Sequence, residues 1–217
     1  SSLSEFLFWR SSIASDTSIG FVPTMGALHD GHTALIKRSL KESDLTVVSI
    51  FVNPKQFGEN EDFNSYPRTF EKDCDLLRSI NVDVLFAPHY DDIYSDDIKS
   101  FAFDDSFSRQ LEGKSRPAFF PGVINVVSRL FNIVKPSFSF FGKKDAQQLI
   151  LISKMVDAGG FPVRIVPVET VREPCGLAMS SRNIYLSKTQ TISASKIYKS
   201  LLLAKDLIDR GEKESKT

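Results

Sequence analysis

The chain has 217 residues, with 27 lysines and arginines against 27 aspartates and glutamates, so its formal net charge is zero. Balanced charge gives no overall attraction to nucleic acid or to an anionic membrane. The length suits one large domain, or one domain with an appendage. No apolar run approaches the roughly 20 residues of a membrane helix, and the start, SSLSEFLFWRSS, lacks signal-peptide features. These totals predict a soluble cytoplasmic protein that binds neither nucleic acid nor a membrane.

Apolar runs alternate with helical patterns along the chain. After GFVPT (20–24), the predicted strands are VVSIFV (47–52), VDVLFAP (82–88), FSFFG (138–142) and VRIVPVETV (163–171). The predicted helices are TALIKRSLKES (33–43), TFEKDCDLLRSI (69–80), GVINVVSRLFNIV (122–134) and DAQQLILISKMVDAG (145–159). Nearly continuous apolar strands are typical of a sheet covered on both faces. The alternation predicts an α/β fold, a Rossmann-like doubly wound parallel sheet with helices on both faces.

Two stretches fall outside this alternation. Residues 89–121 are acidic, aromatic and rich in loop residues, and we expect them to fold over the sheet edge. Their Asp-Asp pairs at 91–92, 96–97 and 104–105 could suggest a metal site, but a solvated acidic surface is the favoured interpretation. From residue 187 a long helical pattern runs toward residue 217, with Ser187 as its predicted N-cap.

Polar motifs follow three of the predicted strands. PTMGALHDGH follows the first strand, NPKQF follows VVSIFV, and GKKDAQQ follows FSFFG. Ligands of parallel α/β sheets bind outside the carboxyl ends of the strands. The three motifs therefore predict one site at a common edge of the sheet.

His29 and His32 stand one helical turn apart in the first motif. If a helix begins near Asp30, both imidazoles lie at its N-terminus, where free N–H groups and the helix dipole favour an anion. Imidazole donors could then hold phosphate oxygens as charge develops during transfer. We expect Gly26 and Gly31 to let a bulky ligand approach the backbone. A structural or metal-binding histidine pair is the alternative.

The strand–HxGH–helix context resembles the nucleotidylyltransferase superfamily. Within it, VPTMGALHDGH, SIFVNPKQFG, YPRT, FFGKKDAQQL and VREPCGLAMSSRN occur in an order that resembles the pantothenate synthetase family, over about residues 19–186. The resemblance implies condensation of pantoate with β-alanine to pantothenate through a pantoyl adenylate, with release of AMP and pyrophosphate. It further implies ATP as a substrate, Mg²⁺, and a homodimer.

The resemblance assigns roles at the nucleotide. His29, His32 and Lys144 would act on the phosphates, and Ser180, Ser181 and Arg182 would form a second phosphate-binding loop; these six are the predicted catalytic residues. Gly142 and Asp145 would face the ribose, and Thr170, Val171 and Met179 would line the adenine end, with Met25 also touching ATP.

The family resemblance also assigns residues to the binding of pantoate. Gln56 and Gln148 would bind the hydroxyls, and Pro23, Met25 and Phe57 would form apolar walls. Asn53 and Tyr66 would lie near the reacting phosphate and the incoming amine, whereas Arg68 is expected to hold the YPRT loop. Asp73 resembles a family acid near the metal, and a helix-surface aspartate is its alternative interpretation.

The chain departs from the family pattern at several positions. Phe119 stands where the family usually has histidine, Lys143 where it has glutamate, Ala146 where it has an aromatic residue, and Cys175 where it has aspartate. Lys143 next to Lys144 is expected to depress a lysine pKa or to push one side chain away. The replacement of histidine by Phe119 argues against a ligand-facing role for this segment.

The family also has a smaller C-terminal domain after the SRN motif. Residues 1–186 are therefore predicted to form the N-terminal nucleotide- and pantoate-binding domain, and residues 187–217 a helix leading into a lid domain that is mostly absent. One alternative function is a different nucleotidylyltransferase, against which the Gln56 and Gln148 amides argue, since a phosphate acceptor would call for further cations. The other is a catalytically incompetent nucleotide-binding module.

Overall fold

The computed structural model describes residues 2–214, so the last three residues of the helical pattern predicted to run to residue 217 lie outside the described residues. Its strands are β1 (Ile19–Thr24), β2 (Leu45–Ile50), β3 (Val84–Phe86), β4 (Phe138–Gly142) and β5 (Arg164–Val168). They form one parallel sheet in the order β3-β2-β1-β4-β5. The chain winds outward from the central β1 in both directions, which confirms the predicted doubly wound α/β fold.

The longer helices are α1 (Leu3–Ser12), α2 (Asp30–Glu42), α3 (Phe70–Ser79), α6 (Phe119–Val134), α7 (Ala146–Gly159) and α8 (Lys188–Asp209). Two short ones, α4 (Tyr90–Tyr94) and α5 (Glu112–Ser115), lie between β3 and α6. Helix α1 was not predicted from the sequence. Ser2 begins α1 with a capping box, in which its hydroxyl accepts the Glu5 N–H and the Glu5 carboxylate accepts the Ser2 N–H.

Alternate residues of each strand face two separate cores. Phe21, Val47 and Phe141 belong to the core formed with α1, α6 and α7. Val22, Val48 and Phe140 belong to the core formed with α2 and α3. Burying one such side chain stabilises the fold by roughly 1.5–3 kcal/mol, so both layers are firmly held. The helix predicted at 122–134 lies within α6, and its apolar residues Val123, Val126, Val127, Leu130 and Val134 are all buried.

Strand ends differ from the sequence prediction in a consistent way. The stretch 51–52 was predicted as strand, but β2 ends at Ile50 and the chain turns into a 3-10 helix at Pro54–Gln56. Likewise β5 ends at Val168, whereas the prediction continued to residue 171. In both places, residues just beyond the end of the strand line a cleft at the carboxyl edge. They are Phe51, Asn53 and Gln56 after β2, and Glu169, Thr170 and Val171 after β5.

Residues 89–121 contribute aromatic side chains to the core. Phe101, Phe103 and Phe107 pack against the core that contains α6 and α7. The acidic pair Asp104 and Asp105 forms ion pairs with Arg109 and Lys154. Within residues 2–214, no group of three or more His, Cys, Asp and Glu side chains could hold a metal ion. No helix in that range is long and apolar enough to cross a membrane.

Helix α8 follows the sheet domain. Its N-cap is Ser187, as predicted, and Gln190 completes a capping box. Most of its apolar residues are exposed, namely Ile192, Ile197, Leu201, Leu202, Leu203, Leu207 and Ile208. The division of the chain into residues 1–186 and 187–217 remains a prediction.

Candidate active site

A cleft of about 350 Å³ opens at the carboxyl edge of the sheet. It brings together nearly all the residues that the sequence assigned to a site. Those on its wall are Pro23, Met25, His29, His32, Asn53, Gln56, Tyr66, Gly142, Lys144, Asp145, Gln148, Thr170, Val171, Met179, Ser180, Ser181 and Arg182. The cleft wall does not include Phe57 or Asp73.

The two histidines begin helix α2. His29 is its N-cap, and its Nδ1 accepts the backbone N–H of Gly31 at 3.1 Å. Nδ1 of His32 accepts the backbone N–H of His29 at 3.3 Å, and the ring centroids lie 4.1 Å apart. A neutral imidazole that accepts at Nδ1 carries its proton on Nε2. Each ring therefore has one free donor, its Nε2–H.

Both histidines are neutral at physiological pH. Burial, and secondarily the Lys144 ammonium, lowers the pKa of His29. Burial lowers the pKa of His32 to about 3, and His29 and Lys144 add to the effect. The cations at this end of the cleft are therefore Lys144 and Arg182, supplemented by the positive end of α2.

The two glycines beside the histidines each have a local structural reason. A β-carbon on Gly31 would lie 2.7 Å from Cε1 of His29, so Gly31 makes room for that imidazole. Gly26 has φ +80°, in the left-handed region that favours glycine, and its β-carbon would meet Ile50 at 3.0 Å. Both glycines shape the turn that carries the histidines. Gly31 also lines the cleft, and its role in letting a ligand approach the backbone stays a prediction.

Asp73 stabilises this turn from behind. It is 3% exposed, and its two carboxylate oxygens accept the backbone N–H groups of Ala27 and Leu28, each at 2.9 Å. Thr69 Oγ1 donates to the same carboxylate at 3.1 Å. The metal-binding role predicted for Asp73 is not supported by these contacts, and the surface-aspartate alternative does not fit a buried carboxylate. We remove Asp73 from the candidate site.

The MSSRN segment closes the cleft on the other side. Ser181 Oγ donates to the carbonyl of Ala27 at 3.1 Å, which joins this segment to the histidine turn. Arg182 makes two hydrogen bonds to Asp62, at 2.8 and 2.9 Å, and lies 5.1 Å from the Tyr66 ring centre. The paired hydrogen bonds to Arg182 lower the pKa of Asp62. The Asp62 carboxylate thus fixes the orientation of Arg182.

The adjacent lysines diverge. Lys143 forms an ion pair with Glu169, while Lys144 Nζ lies 3.1 Å from the Asp145 carboxylate. The two side chains point to different partners, which agrees with the prediction that one of two adjacent lysines is pushed away. Lys144 keeps its place on the cleft wall.

Three side-chain amides line the cleft, those of Asn53, Gln56 and Gln148, and we call this part the amide end. Asn53 is 1% exposed and Gln56 8% exposed, so these polar side chains are held by the fold. Gln56 Nε2 lies 3.1 Å from the Met25 sulfur, a weak acceptor that a ligand oxygen could replace.

The role predicted for Phe57 is corrected by its packing. Its ring lies against Phe63 and Tyr66, at centroid distances of 5.3 and 5.8 Å, so it supports Tyr66 without lining the cleft. Pro23 and Met25 do lie on the cleft wall, but the rest of its apolar part was not predicted from the sequence. It consists of Leu35, Phe51, Phe119, Val123, Val126, Val127, Leu130 and Phe141.

Arg116 is a polar residue of the cleft that the sequence analysis also missed. It makes two hydrogen bonds to Glu61, at 2.7 and 2.6 Å, one to Glu112 at 2.8 Å, and lies 3.9 Å from the Phe119 ring centre. Phe119, a departure from the family pattern, therefore does face the cleft. The RP dipeptide at 116–117 was the available signal, but the pairing with Glu61 joins residues 55 apart.

Comparison with known proteins decides the family. The family model described as pantoate-beta-alanine ligase matches residues 2–217. The chain belongs to the pantoate-β-alanine ligase family. The resemblance stated from the sequence is thereby confirmed, as is the assignment to enzymes of the ligase class, and the alternative of a different nucleotidylyltransferase is wrong.

Relatives within the family are closely similar to this chain. The pantothenate synthetase of Staphylococcus epidermidis is 50% identical over 198 residues, which are 91% of this chain and 69% of the relative. That of Thermosipho africanus is 50% identical over 205 residues, 94% of this chain and 74% of the relative.

Solved structures of the family share the fold. Pantothenate synthetase from Thermus thermophilus superimposes with a TM-score of 0.91 at 43% identity, over 97% of this chain and 75% of that one. Pantoate-beta-alanine ligase from Francisella tularensis, complexed with beta-gamma ATP and beta-alanine, gives 0.86 at 43% identity, over 91% and 76%.

Proposed function

We propose that the cleft binds ATP and pantoate together, forms pantoyl adenylate, and condenses it with β-alanine to give pantothenate. The observation that carries the proposal is the pair His29 and His32 at the N-terminus of α2. Each has its Nδ1 atom occupied by a backbone N–H and its Nε2–H free. Family membership supports the reaction, and the Francisella tularensis relative was solved with an ATP ligand and β-alanine.

The phosphate end consists of neutral donors backed by two cations. His29 and His32 donate to oxygens of the α-phosphate region, where negative charge builds as pyrophosphate departs. Lys144 supplies a mobile positive charge because its ammonium pairs with the exposed carboxylate of Asp145. Ser180, Ser181 and Arg182 bind the outer phosphates. Asp62 already holds Arg182 in one orientation, so little rotamer entropy remains to be lost on binding.

The nucleoside end follows β4 and β5. Gly142 and Asp145 face the ribose, and Thr170, Val171 and Met179 line the adenine with Met25 near the α-phosphate, all of them on the wall of one cleft. Asp145 accepts ribose hydroxyls, for which it exchanges its contact with Lys144. Lys144 is thereby released toward the phosphates as ATP binds.

The pantoate end combines amides and apolar walls. Gln56 and Gln148 bind the two hydroxyls, and Asn53 and Tyr66 lie toward the reacting groups. The methyl groups contact Pro23 and Met25 together with apolar residues of α6, in place of Phe57. A site whose polar groups are buried rejects ligands that leave those groups unpaired. Gln56 and Asn53 satisfy this condition because both are buried.

Both nucleophiles come from substrates. A carboxylate oxygen of pantoate attacks the α-phosphorus of ATP, and the bond from that phosphorus to the bridging oxygen breaks to release pyrophosphate. The β-alanine amine then attacks the acyl carbon, the acyl C–O bond breaks, and AMP leaves with that oxygen and the electron pair. One proton is lost from the amine. The protein aligns the reactants and stabilises phosphate charge, and no side chain becomes acylated.

Magnesium enters in this proposal as the counterion of ATP. Among the acids that line the cleft, Glu112 is paired with Arg116 and Glu169 with Lys143, and Asp145 is the residue proposed to bind the ribose. Mg²⁺ bound to nucleotides keeps several waters and needs few protein carboxylates. The phosphates and water therefore supply its ligands, and the residues named above remain in their ion pairs or bind ATP.

An isotope experiment tests the proposed chemistry. Pantoate carrying ¹⁸O at both carboxylate oxygens is converted with ATP and β-alanine, and each product is analysed by mass spectrometry. The proposal predicts one ¹⁸O in AMP and one in pantothenate. Label in inorganic phosphate with formation of ADP would indicate an acyl phosphate and contradict it. Failure to form any AMP would favour the catalytically incompetent module.

A further inference from the structure

The side-chain amide of Asn53 has only one possible orientation. Its Oδ1 accepts two hydrogen bonds, from the backbone N–H of Lys55 at 3.2 Å and from the hydroxyl of Tyr94 at 2.7 Å. A backbone N–H can only donate. A rotated amide would place its NH₂ group against that donor, so the oxygen must lie on this side.

The opposite end of the same amide meets two acceptors. Asn53 Nδ2 donates to the carbonyl of Gly122 at 3.1 Å and to Oε1 of Gln56 at 3.2 Å. Helix α6 approaches this closely because Gly122 has no side chain, since a β-carbon there would lie 2.2 Å from the Lys55 carbonyl oxygen. Hydrogen-bond donors surround the oxygen of the Asn53 amide and acceptors surround its nitrogen, so the orientation of this side chain is fixed.

The fixed amide of Asn53 determines what Gln56 offers a ligand. Because Oε1 of Gln56 accepts from Asn53, its Nε2 must lie on the other side, 3.1 Å from the Met25 sulfur on the cleft wall. Gln56 therefore presents only N–H donors to the cleft. It suits a hydroxyl or carboxylate oxygen that accepts.

Tyr94 itself does not line the cleft. Its ring is held between Lys55, with Nζ 3.8 Å from the ring centre, and Tyr90, with a centroid distance of 4.6 Å. The Arg129 guanidinium lies 5.1 Å away. Burial, with the neighbouring Tyr90, raises the pKa of Tyr94 to about 12, so its hydroxyl keeps its proton at physiological pH.

We infer that Tyr94 is a positioning residue for pantoate: through Asn53 it holds the Gln56 amide with its donors toward the substrate. The inference rests on the proposed function, since it takes pantoate as the ligand of Gln56. Tyr94 does not touch the ligand and acts through two hydrogen bonds. Its hydroxyl donates to Oδ1 of Asn53, and Nδ2 of Asn53 donates to Oε1 of Gln56.

Tyr94→Phe tests this directly. The change removes one hydroxyl and keeps the ring with its cation and aromatic contacts. We expect the KM for pantoate to rise about tenfold, as for loss of one hydrogen bond, with the KM for ATP within about twofold of wild type. Tyr90→Phe is the matched control, because Tyr90 is 43% exposed and makes no hydrogen bond to this network. That control is expected to have wild-type kinetics.

A double-mutant cycle separates positioning from general structure. In a Gln56→Ala background, Tyr94→Phe should leave pantoate affinity by calorimetry unchanged, because the side chain that it orients is gone. A purely structural role would weaken binding by the same factor in both backgrounds. Should Tyr94→Phe fail to fold, Asn53→Asp provides the second variant, since aspartate cannot donate to Gln56 and should also weaken pantoate binding.

The outcomes are distinct from failure of the proposed function. Suppose that the wild-type chain converts pantoate. If Tyr94→Phe then has unchanged kinetics, or raises the KM values of ATP and pantoate equally, the inference is overturned and the proposed function is not. Pantoate binding by Asn53→Asp at wild-type strength also overturns it. Wild-type chain that never binds pantoate overturns the proposed function, and the inference with it.

Discussion

The backbone N–H of Gly31 donates to Nδ1 of His29 at 3.1 Å, and a β-carbon on Gly31 would come within 2.7 Å of the same imidazole. Gly31 therefore both supplies the hydrogen bond and leaves the space that this ring needs. The spacing of the HxGH motif follows from one geometric fact: the N-cap side chain folds back over the second residue of its own helix.

Gly31→Ala should displace His29 and slow catalysis while the fold persists. Alanine is favoured over glycine within a helix by about 1 kcal/mol, so any loss of stability must come from crowding against the ring. Displacing a catalytic group by about 1 Å can lower the rate about 100-fold. We expect a loss of that size in kcat/KM for ATP when the His29 ring moves. Gly58→Ala, where the nearest contacts are an ordinary 3.6 Å, is the control and should retain activity.

The two roles of His29 can be separated by choice of substitution. His29→Ala removes the cap and the phosphate donor together, and should lower the free energy of unfolding by about 1 kcal/mol. His29→Asn keeps a capping oxygen but has no group at the Nε2 position, so its stability should be retained. Both variants should lose about 100- to 1,000-fold in kcat, as expected for one lost oxyanion donor. Urea denaturation with steady-state kinetics measures both effects, and wild-type kcat in His29→Asn would exclude the donor role.

His32 should make the stability of the fold depend on pH. Its pKa is lowered from 6.5 to about 3 in the folded chain, so between these values the unfolded chain binds a proton that the folded chain does not. The contribution of His32 to the free energy of unfolding is therefore complete above pH 6.5 and is lost as the pH falls toward 3. His32→Asn should lose less stability than wild type between about pH 7.5 and 4.5, measured by urea denaturation. Equal losses in the two proteins would show that His32 is not held neutral.

Asp73→Asn tests the structural role of this carboxylate. The substitution places an NH₂ group against a backbone N–H of the histidine turn, which should cost about 1–3 kcal/mol of stability. Asp75→Asn, on the exposed face of α3, should cost less than about 0.5 kcal/mol. Added Mg²⁺ should not restore the stability of Asp73→Asn in thermal melts without ATP. Restoration by the metal alone would return Asp73 to a metal site.

Much of the fold could be predicted because its signals are local. The near-continuous apolar strands and the helical patterns between them are properties of short windows, and parallel pairing follows from their alternation. The position of HxGH between a strand and a helix likewise placed His29 and His32 at a helix N-terminus. Helix α1 was missed although Ser2 and Glu5 carry the S-x-x-E spacing of a capping box.

The rest depends on contacts between distant residues. Asp73 resembles a surface residue of an amphipathic helix, and only the folded chain brings it to the N–H groups of Ala27 and Leu28. Arg116 meets Glu61 from another part of the chain, and Tyr94 meets Asn53 across 41 residues. Such pairings arise from the packing of α6 and the loops around it. They cannot be predicted from the residues next to each partner in the sequence.

Pantoate-dependent exchange of labelled pyrophosphate into ATP, without β-alanine, is the measurement that tests the central claim most directly. A site that forms pantoyl adenylate reversibly must incorporate label, must require pantoate for it, and must lose it in the His29→Asn, His32→Asn double variant. We predict all three results. Wild-type exchange in the double variant, or no exchange from a chain that binds both ATP and pantoate, would contradict the account.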